Sequence, residues 1–300
     1  MNNSRNLVEE LKFQLRNGSV TTKLIFANVF VFIFIQLIIV TYRLLLLDTN
    51  LSIAEVIFTL DTNFFGFIIK PWGIVTSIFS HFGLFHILFN MLFLYFAGQF
   101  FESIFNGKRL LYTYIFGGIA GGFLEIISHF IFPSLQESHN IVVGASGSVM
   151  AIFTTLAFYS PNTTVLLFGV FPIRIYFIAI FFLLKDLIGL GSDDNVAHFA
   201  HLGGAIFGLI SIQNMYSKYN IINLLYRLFD HIKNVLSTAK PKTPKFTTSK
   251  GGFKKDEDYN VEKKKRQEKT DAILDKISKA GYESLTKEEK DFLFNQSKNG

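Results

Sequence analysis

The sequence predicts an all-α membrane protein, a bundle of six transmembrane helices with amphipathic flanks in the cytoplasm. Of its 300 residues, 50% are hydrophobic and only 17% are charged, whereas soluble domains carry about 25% charged residues. The apolar residues concentrate between Leu24 and Met215, and both ends of the chain are polar and basic. This distribution indicates a membrane-embedded body between two soluble flanks.

The first element is a short helix within residues 1–23, the predicted cytoplasmic N-terminal segment. Four apolar residues share one face of this helix, namely Leu7, Val8, Leu11 and Leu15. Gly18 follows them and favours the end of the helix. A cleaved signal peptide would begin its apolar region earlier and end in a small-residue cleavage site. We therefore expect a helix that lies on the membrane surface.

The body, residues 24–215, divides into six apolar segments, each about 20 residues long or slightly shorter, as a membrane span requires. They fall near residues 24–46, 79–101, 109–131, 146–160, 173–190 and 197–215. Residues 48–72 are apolar but are interrupted by acidic residues and Pro71, so we expect a loop partly embedded in the outer face. The fourth segment is short, which predicts that it begins below the membrane surface.

The orientation follows from lysine and arginine, which concentrate in cytoplasmic loops. Basic residues precede the first segment, separate the second from the third, precede the fifth and follow the sixth. The opposite loops, residues 48–78, 132–143 and 191–196, contain Lys70 but are otherwise nearly free of lysine and arginine. We therefore expect a multi-pass protein of the plasma or inner membrane with both termini in the cytoplasm.

Three segments follow the body. Residues 216–236 show apolar residues at helical spacing and predict a juxtamembrane amphipathic helix; residues 237–264 predict a disordered basic linker. Residues 265–300 predict a small helical pair, whose second helix begins at a capping box of Thr286 and Glu289. Because this pair is too small for an independent core, we expect it to bind a partner of unidentified type.

Composition also limits the chemistry. The chain has no cysteine, which rules out disulfides and thiolate chemistry. Its net charge of +6 comes from the flanks, and it lacks basic grooves interleaved with aromatic residues, so we expect no nucleic-acid partner. The expected partners are the lipid bilayer and membrane proteins.

Polar side chains on three segments are expected to meet in the outer half of the membrane. His86 and Asn90 lie in the second segment, Ser146 opens the fourth, and His198 and His201 open the sixth. With the orientation above, these three segments all run from the outside inwards. Ionisable and polar residues inside a membrane are costly, so they mark functional sites by default.

The convergent residues have the chemistry for acyl transfer. Ser146 is the candidate nucleophile and His201 the candidate base, because a serine needs a base within hydrogen-bond reach. The spacing of Gly204 and Gly208 favours close helix approach, and Gly147 and Ala151 provide a matching groove on the fourth segment. His86 and Asn90, four residues apart, share a helical face and with the Ser146 backbone N–H predict an oxyanion hole. No Asp or Glu is placed to orient His201, so we predict a Ser–His dyad.

Other interpretations remain for each feature. A G-x-S-G sequence alone is typical of helix packing. His81, His86, His198 and His201 form a conceivable metal site, but no carboxylate and no H-E-x-x-H pattern accompany them, so we predict no metal and no cofactor. We expect His81 and His198 to fix loops through hydrogen bonds. For the remaining charges we expect structural roles: Glu102 pairing with a loop group or Arg109, Glu125 packing, and Lys185 pairing with Asp186.

Taken together, the motifs resemble those of the rhomboid intramembrane serine proteases over about residues 20–215. The matching residues are His81, His86 and Asn90, then Gly144-Ala145-Ser146-Gly147, then Ala200-His201-Leu202-Gly203-Gly204 with Gly208; the Pro71-Trp72 lead-in, Glu102 and the paired glycines of the third segment also agree. A Trp-Arg pair that some bacterial members carry in the first outer loop is missing, since no arginine follows Arg43 there.

The resemblance implies a six-helix rhomboid-like bundle that cleaves single-pass membrane proteins in or next to their transmembrane segment. It implies that Ser146 is the nucleophile, that His201 is the base, and that His86, Asn90 and the Ser146 backbone stabilise the oxyanion. It also implies that the second and fifth spans, with Phe89, gate lateral entry. An alternative is a catalytically inactive relative that binds membrane proteins for quality control, but such relatives lack the serine or the histidine. A channel or transporter would show an inverted repeat, and the halves show no convincing one.

Overall fold

The structure is a computed structural model of the chain, and it separates into two compact units, Met1–Ala239 and Lys240–Gly300. It describes residues 6–46, 53–136, 141–167, 170–192, 194, 196–238, 269–270, 272–273, 275–277, 281 and 284–297. The first unit contains all the residues expected to carry chemistry, and it is described first.

The first unit is helical apart from two short antiparallel ribbons. In chain order its elements are α1 (Leu7–Asn17), α2 (Val20–Leu44), α3 (Ile53–Phe58), β1 (Leu60–Asp61), α4 (Phe64–Ile69), α5 (Gly73–Thr76), α6 (Leu84–Ile104), α7 (Gly107–Ile131), α8 (Pro133–Gln136), β2 (Ile141–Val142), α9 (Ser146–Tyr159), β3 (Thr164–Leu167), β4 (Phe171–Arg174), α10 (Ile175–Gly189), α11 (His198–Ile212) and α12 (Ile221–Thr238). Strand β1 pairs with β2, and β3 pairs with β4.

Helices occupy all six segments that the sequence predicts as spans. By length and apolar composition, α2, α6 and α7 can each cross a membrane, and α9 and α11 are shorter apolar helices. Helix α2 leaves apolar side chains such as Phe30 and Leu37 exposed, which suits contact with lipid. Three candidate spans are thus established among the described residues, and a count of six remains a prediction.

The second predicted segment begins later than expected. Its helix starts at Leu84, after a 3₁₀ turn at Ser77–Phe79 and a stretch that ends at Gly83. His81 consequently lies in the loop before α6, whereas the sequence interpretation placed it within the span. The expectation of an irregular segment at residues 48–72 agrees with the short helices α3 and α4; residues 47–52 lie outside the described part of the chain.

Helix α9 is the centre of the bundle. Every residue from Gly147 to Ala157 is buried, as expected for a helix that is apolar all round and surrounded by other helices. A Cβ on Gly204 would overlap the carbonyl oxygen of Gly147, and one on Gly208 would overlap that of Ala151. The predicted groove between α9 and α11 is therefore confirmed.

Helix α7 packs against the same pair of helices through its glycines. A Cβ on Gly117 would collide with the side chain of Ala151, and one on Gly121 would collide with the backbone carbonyl of Ala200. These contacts give the paired glycines of the third segment a role in tight helix packing. Helices α7, α9 and α11 thus form a closely packed triplet, because small residues let their backbones approach.

Two polar contacts hold α2 against its neighbours α6 and α7. Glu102 accepts hydrogen bonds from the backbone N–H groups of Val20 and Thr21, at 3.0 and 2.9 Å, and so caps the start of α2. Glu102 therefore has the structural role expected of it, but its partner is the start of α2 and neither a loop group nor Arg109, whose guanidinium donates to the Ser211 carbonyl. Further along α2, Asn28 donates to the Tyr114 hydroxyl on α7 at 2.9 Å.

Helix α12 follows the bundle as an amphipathic element. Tyr226 and Phe229 pack edge-on against Tyr112 of α7, while apolar residues such as Leu228 remain exposed. The helix reaches Thr238, two residues beyond the predicted boundary at 236. The rest of the predicted linker, residues 239–264, lies outside the described residues.

The second unit is described from residue 269 onwards, with gaps. Its last helix, α13 (Lys287–Ser297), begins at the predicted capping box. The Thr286 N–H donates to Glu289 Oε2 at 2.8 Å, and the Glu289 N–H donates to Thr286 Oγ1 at 3.3 Å. The ammonium of Lys276 lies 2.9 Å from Glu289, and this hydrogen bond lowers the pKa of Glu289. The capping box is therefore confirmed.

Candidate active site

Ser146 lies at the start of α9, directly after a loop that is held by a β-ribbon and by a backbone hydrogen bond. Before it, Ile141 and Val142 pair with Asp61 and Leu60 in the β1–β2 ribbon. The Gly144 N–H donates to the Ser77 carbonyl at 2.9 Å, and Gly144 has φ +124°, a region that disfavours residues with a Cβ. The loop therefore presents Ser146 in a defined position at the head of a buried helix.

His81 holds the next residue of the same loop. Its Nε2 accepts the backbone N–H of Ala145 at 3.4 Å, and the ring is fully buried. Because Ala145 immediately precedes Ser146, this bond fixes the backbone that leads into the candidate nucleophile. His81 thus has the loop-fixing hydrogen bond that the sequence predicts.

The expected meeting of Ser146 and His201 is present. His201 lies in the first turn of α11, and its Nε2 is 2.7 Å from Ser146 Oγ. The glycine contacts between α9 and α11 bring the two side chains to this distance, although the residues are 55 positions apart in the chain. The pair has the geometry of a nucleophile and its general base.

The expectation that no carboxylate orients His201 is wrong. Asp186 Oδ1 accepts from the other ring nitrogen of His201, Nδ1, at 2.8 Å, and Asp186 is only 1% exposed. The sequence carried a signal for this position. Ile175, Ile178 and Ala179 are the other buried residues of α10, and Asp186 follows Ala179 by seven residues, so helical periodicity places it on the same inward face.

His198 binds the same carboxylate. Its Nδ1 lies 2.9 Å from Asp186 Oδ1, and its Nε2 lies 3.2 Å from both carboxylate oxygens of Asp194. The predicted pairing of Lys185 with Asp186 is loose by comparison, at 3.9 Å, with the lysine side chain half exposed. The network therefore runs from Asp194 through His198 and Asp186 to His201.

His86 and Asn90 approach the serine from α6. A Cβ built on Gly144 would lie 2.8 Å from His86 Nε2 and 3.8 Å from Ser146 Oγ, so the ring nitrogen and the hydroxyl border one small space. Asn90 lies one turn below on the same face, and its Nδ2 donates to the His86 carbonyl at 2.9 Å. An amide nitrogen has a second hydrogen to donate, so the Asn90 side chain retains donor capacity.

These side chains line one cavity of about 670 Å³. Its wall includes His86, Asn90, Ser146, Asp186 and His201, together with apolar residues that include Phe89, Phe93 and Phe153. A mostly apolar cavity with a few convergent polar groups is the usual form of a substrate site. All the predicted site residues therefore border the same space.

Glu125 supports the site from α7. Its Oε2 accepts the backbone N–H of Ala200 at 2.8 Å, and its side chain is buried. Because Ala200 immediately precedes His201, this bond satisfies an otherwise free donor in the first turn of α11 and fixes the backbone that carries the histidine. This contact agrees with the structural role that the sequence predicts for Glu125.

The four-histidine metal site considered above does not form among the described residues. The group of side chains there that is close enough to hold a metal ion consists of Asp186, His198 and His201, whose ligand atoms lie within 4.8 Å of one another. The same atoms are joined by hydrogen bonds of 2.8 and 2.9 Å. The network therefore satisfies its own polar atoms.

Comparison with known proteins identifies two matched regions. Residues 69–217 match the family described as Rhomboid domain, a span that includes every predicted site residue. Residues 254–299 match a family of unknown function (DUF6576).

The curated relatives each match a little under half of the chain. RHOMBOID-like protein 12, mitochondrial, from Arabidopsis thaliana is 31% identical over 149 residues, which is 46% of this chain and 44% of the relative. RHOMBOID-like protein 1 from the same plant is 30% identical over 47% of this chain and 33% of the relative. Presenilin-associated rhomboid-like protein A, mitochondrial, from Danio rerio is 27% identical over 45% and 35%, respectively. The matched segment is thus less than half of each relative.

Proposed function

Because this chain belongs to the rhomboid family, we propose that it is an intramembrane serine endopeptidase. Its substrates are single-pass membrane proteins, cleaved in or next to their transmembrane segment. The observation that carries the proposal is the 2.7 Å contact between Ser146 Oγ and His201 Nε2, within a cavity walled by apolar helices. A serine and an imidazole in such contact are the minimum machinery for acyl transfer.

The first half of the reaction forms an acyl-enzyme. Ser146 Oγ attacks the scissile carbonyl carbon while His201 Nε2 takes the hydroxyl proton. The tetrahedral intermediate then collapses, the C–N bond breaks, and His201 returns the proton to the leaving amine. The products of this half are an ester on Ser146 and a free amino terminus.

The second half hydrolyses the ester. A water molecule attacks the acyl carbon, and His201 Nε2 takes its proton. The second tetrahedral intermediate releases Ser146, whose oxygen recovers the proton from His201, and the other product leaves with a new carboxylate. The cavity supplies the space for this water inside an otherwise apolar bundle.

The negative charge of both intermediates is stabilised by His86, Asn90 and the Ser146 backbone N–H. The support is the small space bordered by His86 Nε2 and Ser146 Oγ, into which the charge would develop. Preorganised hydrogen-bond donors stabilise a developing negative charge most strongly when the site has a low dielectric constant. The N-terminus of α9 adds the favourable end of a helix dipole.

The substrate must present an extended backbone, because a helix uses its carbonyls in internal hydrogen bonds. We therefore expect cleavage at segments that contain helix-weakening residues after the scissile bond, with a small residue before it. Phe89, half-exposed beside Asn90 on α6, lies where such a segment would enter the cavity.

The proposed topology has six spans, both termini in the cytoplasm, and the site opening to the outer face. Since the chain has no cysteine, single cysteines report topology without background. Asn162→Cys and Ser192→Cys, introduced separately, are expected to react with an impermeant maleimide from opposite sides of the membrane. Labelling of both from one side would contradict the topology.

The catalytic assignment is tested with a single-pass reporter reconstituted with the purified protein. Ser146→Ala and His201→Ala should each lower the cleavage rate by on the order of 10⁴- to 10⁶-fold. Ser148→Ala is the matched control, since the Ser148 hydroxyl is buried two residues further along α9 and has no hydrogen-bond partner. Reporter cleavage that persists in Ser146→Ala would end the proposal.

A substrate-independent measurement complements this test. A fluorophosphonate probe should label the wild-type chain and Ser148→Ala but not Ser146→Ala. Because the probe forms its bond with an activated serine hydroxyl, labelling that is unaffected by His201→Ala would show that His201 is not the base.

A further inference from the structure

Asp186 is the acidic group closest to the candidate reaction centre, and it sits on a different helix from both reacting side chains. Ser146 belongs to α9, His201 to α11 and Asp186 to α10. The carboxylate is almost completely buried, and its Oδ1 lies 2.8 Å from His201 Nδ1. Burying a carboxylate is costly unless its oxygens accept hydrogen bonds, so this position calls for an explanation.

The chemistry of the three groups fixes the protons. An ionised carboxylate only accepts hydrogen bonds, so the hydrogen of a neutral His201 ring must lie on Nδ1. Nε2 is then left with its lone pair, directed at the Ser146 hydroxyl 2.7 Å away. This is the tautomer that a general base requires. Without the carboxylate, a neutral ring is free to place its hydrogen on Nε2, where it cannot accept the serine proton.

A second pair holds the carboxylate itself. His198 Nδ1 lies 2.9 Å from the same Oδ1, and its Nε2 faces the two oxygens of Asp194. A hydrogen on Nδ1 lets the His198 ring donate to the Asp186 carboxylate. Asp186 is thereby fixed from two directions, by His198 and by His201.

We propose that Asp186 is a positioning residue that fixes the tautomer and the ring orientation of His201, and that His198 holds Asp186 in place. The inference rests on the proposed function, since it assigns Asp186 a part in the same reaction. The working unit is then Ser146, His201 and Asp186, assembled from three helices.

The competing explanation is a purely structural tie between α10 and α11. It predicts that loss of the carboxylate lowers the stability of the bundle but leaves the folded protein fully active. The positioning role predicts that protein without the carboxylate still folds and still binds its substrate but loses the chemical step. The reason is that the carboxylate acts only through the base, His201.

The kinetic test uses Asp186→Asn, which keeps the size of the side chain but can donate hydrogen bonds towards His201. In reconstituted, folded protein, kcat for reporter cleavage should fall by on the order of 10³- to 10⁴-fold, with KM changed by less than about threefold. Lys185→Met is the matched control, since it removes the neighbouring charge on α10 and should change kcat by less than about threefold. Asp186→Glu, which restores a carboxylate, should recover part of the lost rate.

The second test reads the tautomer without any substrate. Nitrogen NMR of ¹⁵N-histidine-labelled protein at pH 8 distinguishes a hydrogen on Nδ1 from one on Nε2, and the signal that disappears in His201→Gln identifies His201. We expect the Nδ1–H tautomer in the wild type and in Lys185→Met, and a shift towards Nε2–H in Asp186→Asn. This measurement stays decisive even if Ser146→Ala shows that the chain is no protease.

Two results would overturn the proposal. One is a wild-type His201 ring with its hydrogen on Nε2. The other is folded Asp186→Asn protein with a wild-type tautomer and a wild-type rate. A loss of rate as large in Lys185→Met as in Asp186→Asn would also count against it, since the loss would then follow any charge change on α10.

Discussion

The contact between Gly204 and Gly147 offers a sharp test of how the fold builds the site. In Gly204→Ala, the added methyl group would overlap the Gly147 carbonyl oxygen, which is backbone and cannot rotate away. Relieving the overlap requires the two helices to separate by roughly 1 Å, since non-bonded carbons prefer about 3.5–4.0 Å. The Ser146–His201 distance, now 2.7 Å, would then exceed the range of a hydrogen bond.

The expected losses follow from this displacement. Overpacking of this kind costs about 1–3 kcal/mol of stability, and a misplacement of about 1 Å in a reacting pair lowers the rate by roughly 10²-fold. The assay measures kcat for reporter cleavage together with the thermal unfolding midpoint in the same detergent. A lower kcat reports the displaced reacting pair, and a lower midpoint reports the loss of stability, so the two effects can be separated.

The matched control is Gly83→Ala. A Cβ there would lie 3.7 Å from the Cβ of His86, an ordinary contact, and Gly83 has φ −107°, which any residue adopts. We expect wild-type kcat and a wild-type midpoint for this variant. Full activity and an unchanged midpoint in Gly204→Ala would refute the claim that close backbone approach brings the histidine to the serine.

Three further predictions concern separate parts of the molecule. Asn90→Ala should lower kcat by roughly 10²- to 10³-fold with little change in KM, because it removes a donor that acts on the transition state. Steady-state kinetics measure both constants, and a rise in KM with unchanged kcat would contradict this role. Tyr114→Phe should destabilise the bundle by about 1–3 kcal/mol, since one N–H of the buried Asn28 amide loses its acceptor while the other keeps the Leu24 carbonyl, and the folded fraction should keep its kcat; an unchanged denaturation midpoint would contradict this. Glu102→Ala should cost about 1–2 kcal/mol by removing the cap of α2, measured in the same way, and an equal cost for Glu102→Gln would indicate that the charge itself is required.

The sequence was sufficient for the helix contacts that build the centre. The four-residue spacing of Gly204 and Gly208 predicts a close approach, and the partners expected for them, Gly147 and Ala151, are the ones observed. Such spacing is informative because only small residues permit two backbones to touch. The same information placed the serine opposite His201, the histidine that it contacts in the structure.

Asp186 could not be placed as reliably. The predicted ion pair with its neighbour Lys185 is present at 3.9 Å, but the lysine side chain is half exposed. The shorter contacts of the carboxylate are with His198 and His201, 12 and 15 residues away on another helix. That relationship depends on how α10 is rotated about its axis, which only the assembled bundle determines.

The start of α6 was missed for a different reason. Ile78, Phe79 and Phe82 surround the polar pair Ser80 and His81, so hydropathy averaged over a window cannot separate the 3₁₀ turn and loop from the helix that follows Gly83. The same stretch carries His81 into the loop beneath Ser146, where its bond to Ala145 is made. Hydropathy gives the existence of an apolar helix more reliably than it gives its first residue.

The order in which the site residues occur along the chain has a consequence for biosynthesis. Among the three residues of the proposed Ser146–His201–Asp186 unit, Ser146 leaves the ribosome first, Asp186 forty residues later and His201 last, and the strand before the serine pairs with Leu60, made long before. A chain that is still being inserted therefore has a hydroxyl without a base, and helices made in sequence must all have packed before the pair meets. The proposed activity would begin only when α11 docks, so a partly inserted chain would not cleave neighbouring membrane proteins.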